Sequence, residues 1–180
     1  DTADVQTIKL DKVVEATHIR ITVTSIYLNG GTAHTHAKNI SIFAYDENPN
    51  PGEDDDTELP DNVVTTANVN HVRTATMTAS SVEDNSANLA AGKANDGDTT
   101  TWWSSASATS QTNGQGWIKA EFDEVTLVKH IKVKFHTRNV NPMPNNVSQF
   151  TVAYVDKDGN ERTVKANYTL ETSGDGYVTE

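Results

Sequence analysis

A chain of 180 residues with 35% hydrophobic and 7% aromatic side chains is long enough for one β-sandwich with its own core, or for two small domains. A net charge of −11 and no visible run of basic residues argue against a nucleic-acid partner and against an anionic membrane surface. The absence of cysteine excludes disulfides and thiol chemistry.

In chain order, the apolar pattern is mostly of period two, which predicts half-buried strands. The first is Thr7–Leu10. Ile19, Ile21 and Val23 then alternate with Arg20 and Thr22, and a third strand is expected over Asn39–Tyr45. His34 and His36 flank Thr35; on a strand both imidazoles would share a face, and without a further ligand a solvent-exposed loop is expected. From Asp46 to Asp61 the composition changes: Pro49, Pro51 and Pro60 deny donors to a ladder, and eight acidic residues repel one another. That stretch reads as a solvated linker rather than an Asp-rich calcium loop. Beyond it, strands are predicted at Val72–Ala79, Trp117–Phe122, at Ile131, Val133 and Phe135, at Phe150, Val152 and Tyr154, and at Arg162–Ala166. Leu89–Lys93 fits one helical turn, Ser105–Gly114 a loop, and Asp156–Asn160 a tight turn with Gly159 free to take positive φ. No long segment has a 3.6-residue period. The expected class is all-β, an antiparallel sandwich.

The run from Asn88 to Ser105, which contains Lys93–Ala94–Asn95–Asp96–Gly97–Asp98 and Trp102–Trp103, is followed by Gly116–Trp117–Ile118–Lys119. Together they resemble the signature of F5/8 type C (discoidin-like) domains, which include the family 32 carbohydrate-binding modules of bacterial glycosidases. The resemblance implies a jelly-roll sandwich that binds ligands and catalyses nothing. It also implies an unusual order of parts. Residues 1–45 look like the closing strands of such a domain, 46–62 form the acidic Pro-rich linker, and 63–180 look like its opening and middle strands. The chain is then a window cut from a tandem array, a circular permutant, or one member of a strand exchange between chains. Each half alone would leave an unpaired sheet edge, so one complete intramolecular sandwich is the expected outcome.

The same resemblance implies a structural Ca²⁺ at Lys93–Thr101. The ligands would be the Asp96 carboxylate, the Thr101 hydroxyl or carbonyl, and the carbonyls of Lys93 and Asp98. Short oxygen donors in a tight turn suit a hard cation. The glutamate that relatives supply from the closing strand is missing from Ser41–Tyr45, leaving carbonyls or water to replace it. The alternative is a metal-free Asx turn.

Trp103 and Trp117 match core positions of the family. Trp102 falls on the opposite face from Trp103 and is a candidate platform for a sugar ring. Galactose-binding relatives use a His after the second matched Trp, then an Arg, an Asn and an aromatic from another loop. Here the Arg and Asn are Arg138 and Asn145, and their fork and amide can each bind two hydroxyls. The His position is Ser104, and Ser104 itself, His136, Trp102 or a loop such as Tyr27–His36 is the candidate to complete the site. The alternative for Arg138 is a surface cation.

No carboxylate stands in an apolar setting that would make it a general acid, and there is no nucleophile elbow or phosphate loop. The function that the resemblance implies is glycan binding, with galactose or N-acetylgalactosamine type as the candidate sugars, targeting an attached glycosidase or surface protein. The other readings are a spacer or protein-interaction module, and, less in keeping with the acidic balance, anionic-phospholipid binding. Since many eukaryotic discoidin domains carry a cysteine pair, a bacterial source is expected, with a secreted or cell-surface location. The chain is expected to be a monomer without membrane insertion, and its first residue, Asp1, to mark an excised fragment or mature product.

Overall fold

The computed structural model describes residues 5–27, 34–45, 69–70, 73–106, 116–135, 146–169, 171–173 and 176–178. The strands are β1 (Gln6–Tyr27), β2 (His36–Tyr45), β3 (Val69–Asn70), β4 (Thr76–Ala79), β5 (Trp103–Ser104), β6 (Trp117–Phe135), β7 (Asn146–Asp156), β8 (Glu161–Thr169), β9 (Glu171–Ser173) and β10 (Gly176–Val178). Three short 3-10 turns, Glu83–Asn85, Ala87–Leu89 and Ala91–Ala94, connect β4 to the loop before β5.

Strands β1 to β8 form one antiparallel sheet in the order β3-β2-β6-β1-β7-β8, with β4 added to β6 and β5 to β2; β9 and β10 pair separately. The sheet becomes a sandwich because its two longest strands bend. β1 and β6 pair along their length, but the register slips between Lys9 and Val14 and again between Ala16 and His18. Such bulges leave residues unpaired and turn the strand. On one side of the bend, β2 flanks the second half of β6 (Ile42 opposite Ile131). On the other, β4 flanks the first half of β6 (Ala79 opposite Ile118), and β7 flanks the second half of β1 (Ile21 opposite Val152). Each long strand thus serves both leaves.

The alternation read from the sequence is what fills the space between them. Ile8, Ile19, Ile21, Val23, Ile42, Ile118, Ile131, Val133, Phe150 and Val152 are all at most 2% exposed. Phe135 of one leaf meets Phe150 of the other edge to face at 5.0 Å, and Phe150 stacks on Tyr168 at 4.9 Å. Such pairs add roughly 0.5–1.5 kcal/mol beyond burial.

Two strands predicted as separate pairs are continuous. Thr7–Leu10 and Ile19–Val23 are both β1, and Trp117–Phe122 and Ile131–Phe135 are both β6. The residues at the bend lack alternation and so resemble a loop in sequence. The expected strand from Val72 begins instead at Thr76, after a turn at Arg73–Ala75. The turn after β7 forms as expected, with Gly159 at φ +84° and Asp156 accepting the backbone N–H groups of Asp158 and Asn160 at 3.1 and 2.7 Å.

β1 and β2, from the first 45 residues, share one sheet with strands from beyond residue 68, and β1 lies between β6 and β7. One sandwich draws on both segments of the same chain. The linker at 46–62 lies outside the described residues.

Candidate functional site

Bending places both ends of β6 at one end of the sandwich. Phe135 pairs with Ala37 at the start of β2, while a side chain on Gly116 would meet Thr35 and Ser105 at 3.3 Å. β1 ends here too, with Tyr27 opposite Asn146. The chain therefore leaves the described region from this end after Tyr27, Ala106 and Phe135, and re-enters it here at His34, Gly116 and Asn146. Arg138, Asn145 and His136 lie outside the described residues, as does the side chain of Tyr27; only the backbone of Tyr27 is placed, at the tip of β1.

Beneath this end lies a polar cluster. His36 of β2 stands opposite Ser104 of β5, and both are buried. Ser104 Oγ lies 2.6 Å from Glu83 Oε2. His34 Nδ1 is 2.8 Å from the Ser105 carbonyl and 3.8 Å from the same Glu83 oxygen. Ser105 ties the two segments with paired bonds: its N–H donates to the Thr35 carbonyl at 2.9 Å, and its hydroxyl accepts from the Thr35 N–H at 2.9 Å.

Three expectations change here. Ser104 faces inward onto Glu83 rather than toward solvent, because β5 is only two residues long and covered on both sides. The two histidines are not in an exposed loop: His36 is 1% exposed within β2, and its ring stacks with that of His34 at 6.0 Å. Trp117, expected in the core, is only half-buried, whereas Trp103 is 1% exposed and donates Nε1–H to the Ser81 carbonyl at 3.0 Å. Trp102 is half-buried beside it. Glu83, buried among these groups, carried no signal in the sequence, since Ser81–Val82–Glu83–Asp84 reads as an ordinary polar loop.

The second feature is the loop from Lys93 to Thr101. Gly97 has φ +80°, and a Cβ there would come within 2.7 Å of the Arg73 guanidinium, so only glycine suits the position. Thr101 Oγ1 is 2.9 Å from each Asp96 carboxylate oxygen, 3.1 Å from the Asp98 carbonyl and 3.3 Å from the Lys93 carbonyl. A hydroxyl has one proton, so it can satisfy one of these four acceptors. Other oxygens here have donors of their own: the two Asp96 oxygens also accept from the Asp98 N–H and the Lys93 ammonium, and the Asp98 carbonyl accepts from the Thr101 N–H at 3.4 Å. One carboxylate, one hydroxyl and two carbonyls gather here, the groups that the family resemblance implies for calcium, where such a cation takes about six to eight oxygens.

Around this cluster, the Lys93 ammonium sits 3.3 Å from Asp96 Oδ2 and the Asp98 N–H donates to Asp96 Oδ1 at 3.0 Å. For Asp96, desolvation is the largest single influence and raises the pKa. The bonds from Asp98, Thr101 and Lys93, with the Lys93 charge, outweigh it and hold the carboxyl below its ordinary value. Asp98 is held low mainly by the Thr100 hydroxyl and N–H, at 2.6 and 2.8 Å.

Among the described residues, two clefts open at the bent end, where Lys12, Val14 and Tyr154 line both; neither includes a candidate ligand-binding or metal residue. No group of three or more His, Cys, Asp or Glu side chains that could hold a metal ion occurs among the described residues. None of the described helices is long and apolar enough to cross a membrane.

An antiparallel sandwich with an oxygen-rich loop ahead of β5 and its strand ends gathered above it is consistent with the discoidin-like resemblance of the sequence. Residues 93–179 match the family described as NedA-like, galactose-binding domain. The match begins at the first carbonyl of the Asp96 loop and runs through β5 to β10. No curated protein and no solved structure matched the chain. Domains of that family are generally non-catalytic, and the match supports a carbohydrate-binding role at a coarse level.

Proposed function

We propose that the chain is a carbohydrate-binding module that recognises galactose- or N-acetylgalactosamine-type glycans at the end where β1, β2, β5, β6 and β7 converge. The observation that carries this reading is the match of residues 93–179 to a galactose-binding family. Arg138 and Asn145 supply the guanidinium and amide for sugar hydroxyls, with Trp102, His136 and Tyr27 as the neighbouring groups. Ca²⁺ at Lys93, Asp96, Asp98 and Thr101 holds the loop before β5. The segment order is that of a circular permutant, and the chain acts as a monomer, secreted or on a bacterial surface, that keeps a glycosidase or surface protein near its glycan. Weak single-site binding is strengthened by tandem copies or by attachment.

Isothermal titration with galactose, N-acetylgalactosamine and N-acetylglucosamine in calcium tests this. Saturable heat with the first two, lost in Arg138→Ala, is expected. Absence of heat from a folded monomer would move the reading to a spacer or protein-interaction module. One observation favours that second reading: Ser104, at the position where galactose-binding relatives carry a His, is buried and bonded to Glu83.

A further inference from the structure

The chain has a net charge of −11, yet one face of its sandwich is basic. On the outer side of β1, β6 and β2, register sets Lys9 opposite His130 and His130 opposite Phe43; one step along, Thr7 faces Lys132 and Lys132 faces Ser41. The residues between them, Ile8, Ile131 and Ile42, point into the core. Neighbouring strands run about 5 Å apart and same-face residues about 7 Å apart along a strand, so these cations lie within one Debye length of each other.

The arrangement is held in place. Phe43 stacks on His130 with centroids 4.3 Å apart, and Lys132 Nζ sits 5.1 Å from the Phe43 ring centroid. The aromatic ring thereby keeps both groups on the surface of the sheet. The His130 imidazole is held below its ordinary value, first by burial and then by the charges of Lys132, Lys129 and Lys9. Among the described residues no carboxylate forms a salt bridge with Lys9, Lys129 or Lys132. Like charges gathered across strands destabilise a sheet. In a chain with so many carboxylates, their concentration on one face points to an anionic partner.

We propose that this face binds a carboxylate-bearing polysaccharide, as a site separate from the strand-end loops. A flat sheet face accepts an extended chain. Thr7 stands beside the lysines with a hydroxyl on the same face, which suits a polymer whose carboxylates are set among hydroxyls. A longer and denser polyanion such as nucleic acid would meet the repulsion of the rest of the molecule. The proposal rests on charge placement alone and is independent of galactose recognition.

The test is biolayer interferometry with immobilised polygalacturonate, uncharged galactan as control, at low and high salt. Polygalacturonate is expected to bind at low salt and release at high salt. Lys9→Gln/Lys132→Gln should weaken it roughly tenfold, with Lys129→Gln as a second variant, while melting and any galactose heat stay as in the parent. No binding at low salt, or undiminished binding by the folded double variant, overturns the proposal. Equal binding to phosphatidylserine vesicles and to polygalacturonate also overturns it, because the face would then read charge without regard to sugar.

Discussion

The Thr101 hydroxyl sits among four oxygens, those of the residues proposed to hold calcium. A cation bound to the folded state alone stabilises it by mass action, about 2.7 kcal/mol at a hundred times its dissociation constant. Calcium should therefore raise the melting midpoint in a saturable way, and Asp96→Asn should abolish the rise; identical melting curves with calcium and with chelator would remove the metal from the proposal. Without metal, protons act on the same residues. Asp96, Asp98 and Asp156 all have carboxyl groups held below 3.8, so their contribution is present above that value and fades as pH falls through their lower folded-state values. Thermal melts from neutral pH downward should stay level until the carboxylate range and then drop. Gly97→Ala meets both a left-handed backbone and the Arg73 guanidinium, and should cost about 1–3 kcal/mol in urea unfolding.

At the scale of strands, inward positions decide stability. Ile131→Ala, at a side chain with no exposed surface, should cost about 2–5 kcal/mol, whereas Val125→Ala, 48% exposed on the bend, should lie near zero; equal urea midpoints for the two would contradict the sandwich packing. Strands with strict alternation, such as Ile131–Phe135 and Phe150–Tyr154, were legible because a half-buried strand must alternate. The bends near Lys12 and Glu124 were not. A strand that passes from one leaf to the other exchanges its inner and outer faces there, and the pattern breaks where the backbone continues. The Asp96 loop was legible as a tight turn because its hydrogen bonds are local in sequence, running among residues 93–101. The environment of Ser104 was not, since it depends on Glu83 and His36, brought together only by the pairing of β5 with β2. The basic face escaped notice for the same reason, its lysines coming from strands far apart in sequence.

For the whole molecule, the position of β1 between β6 and β7 binds the first segment into the sheet of the second. A protease cut within residues 46–62 should leave two pieces that elute together under native conditions and separate only in denaturant. Pieces that part without denaturant would speak against one shared sandwich. The same placement has a consequence for synthesis. A nascent chain offers β1 to solvent first, yet both partners of that strand lie in residues 117–156. Its apolar face must wait, unpaired, while most of the sequence is made, and closure then depends on long-range contacts, the slow kind to form. The charges spaced along it at Lys9, Asp11, Lys12, Glu15 and Arg20 suit a strand that spends that interval exposed, since they keep one waiting copy from pairing with another.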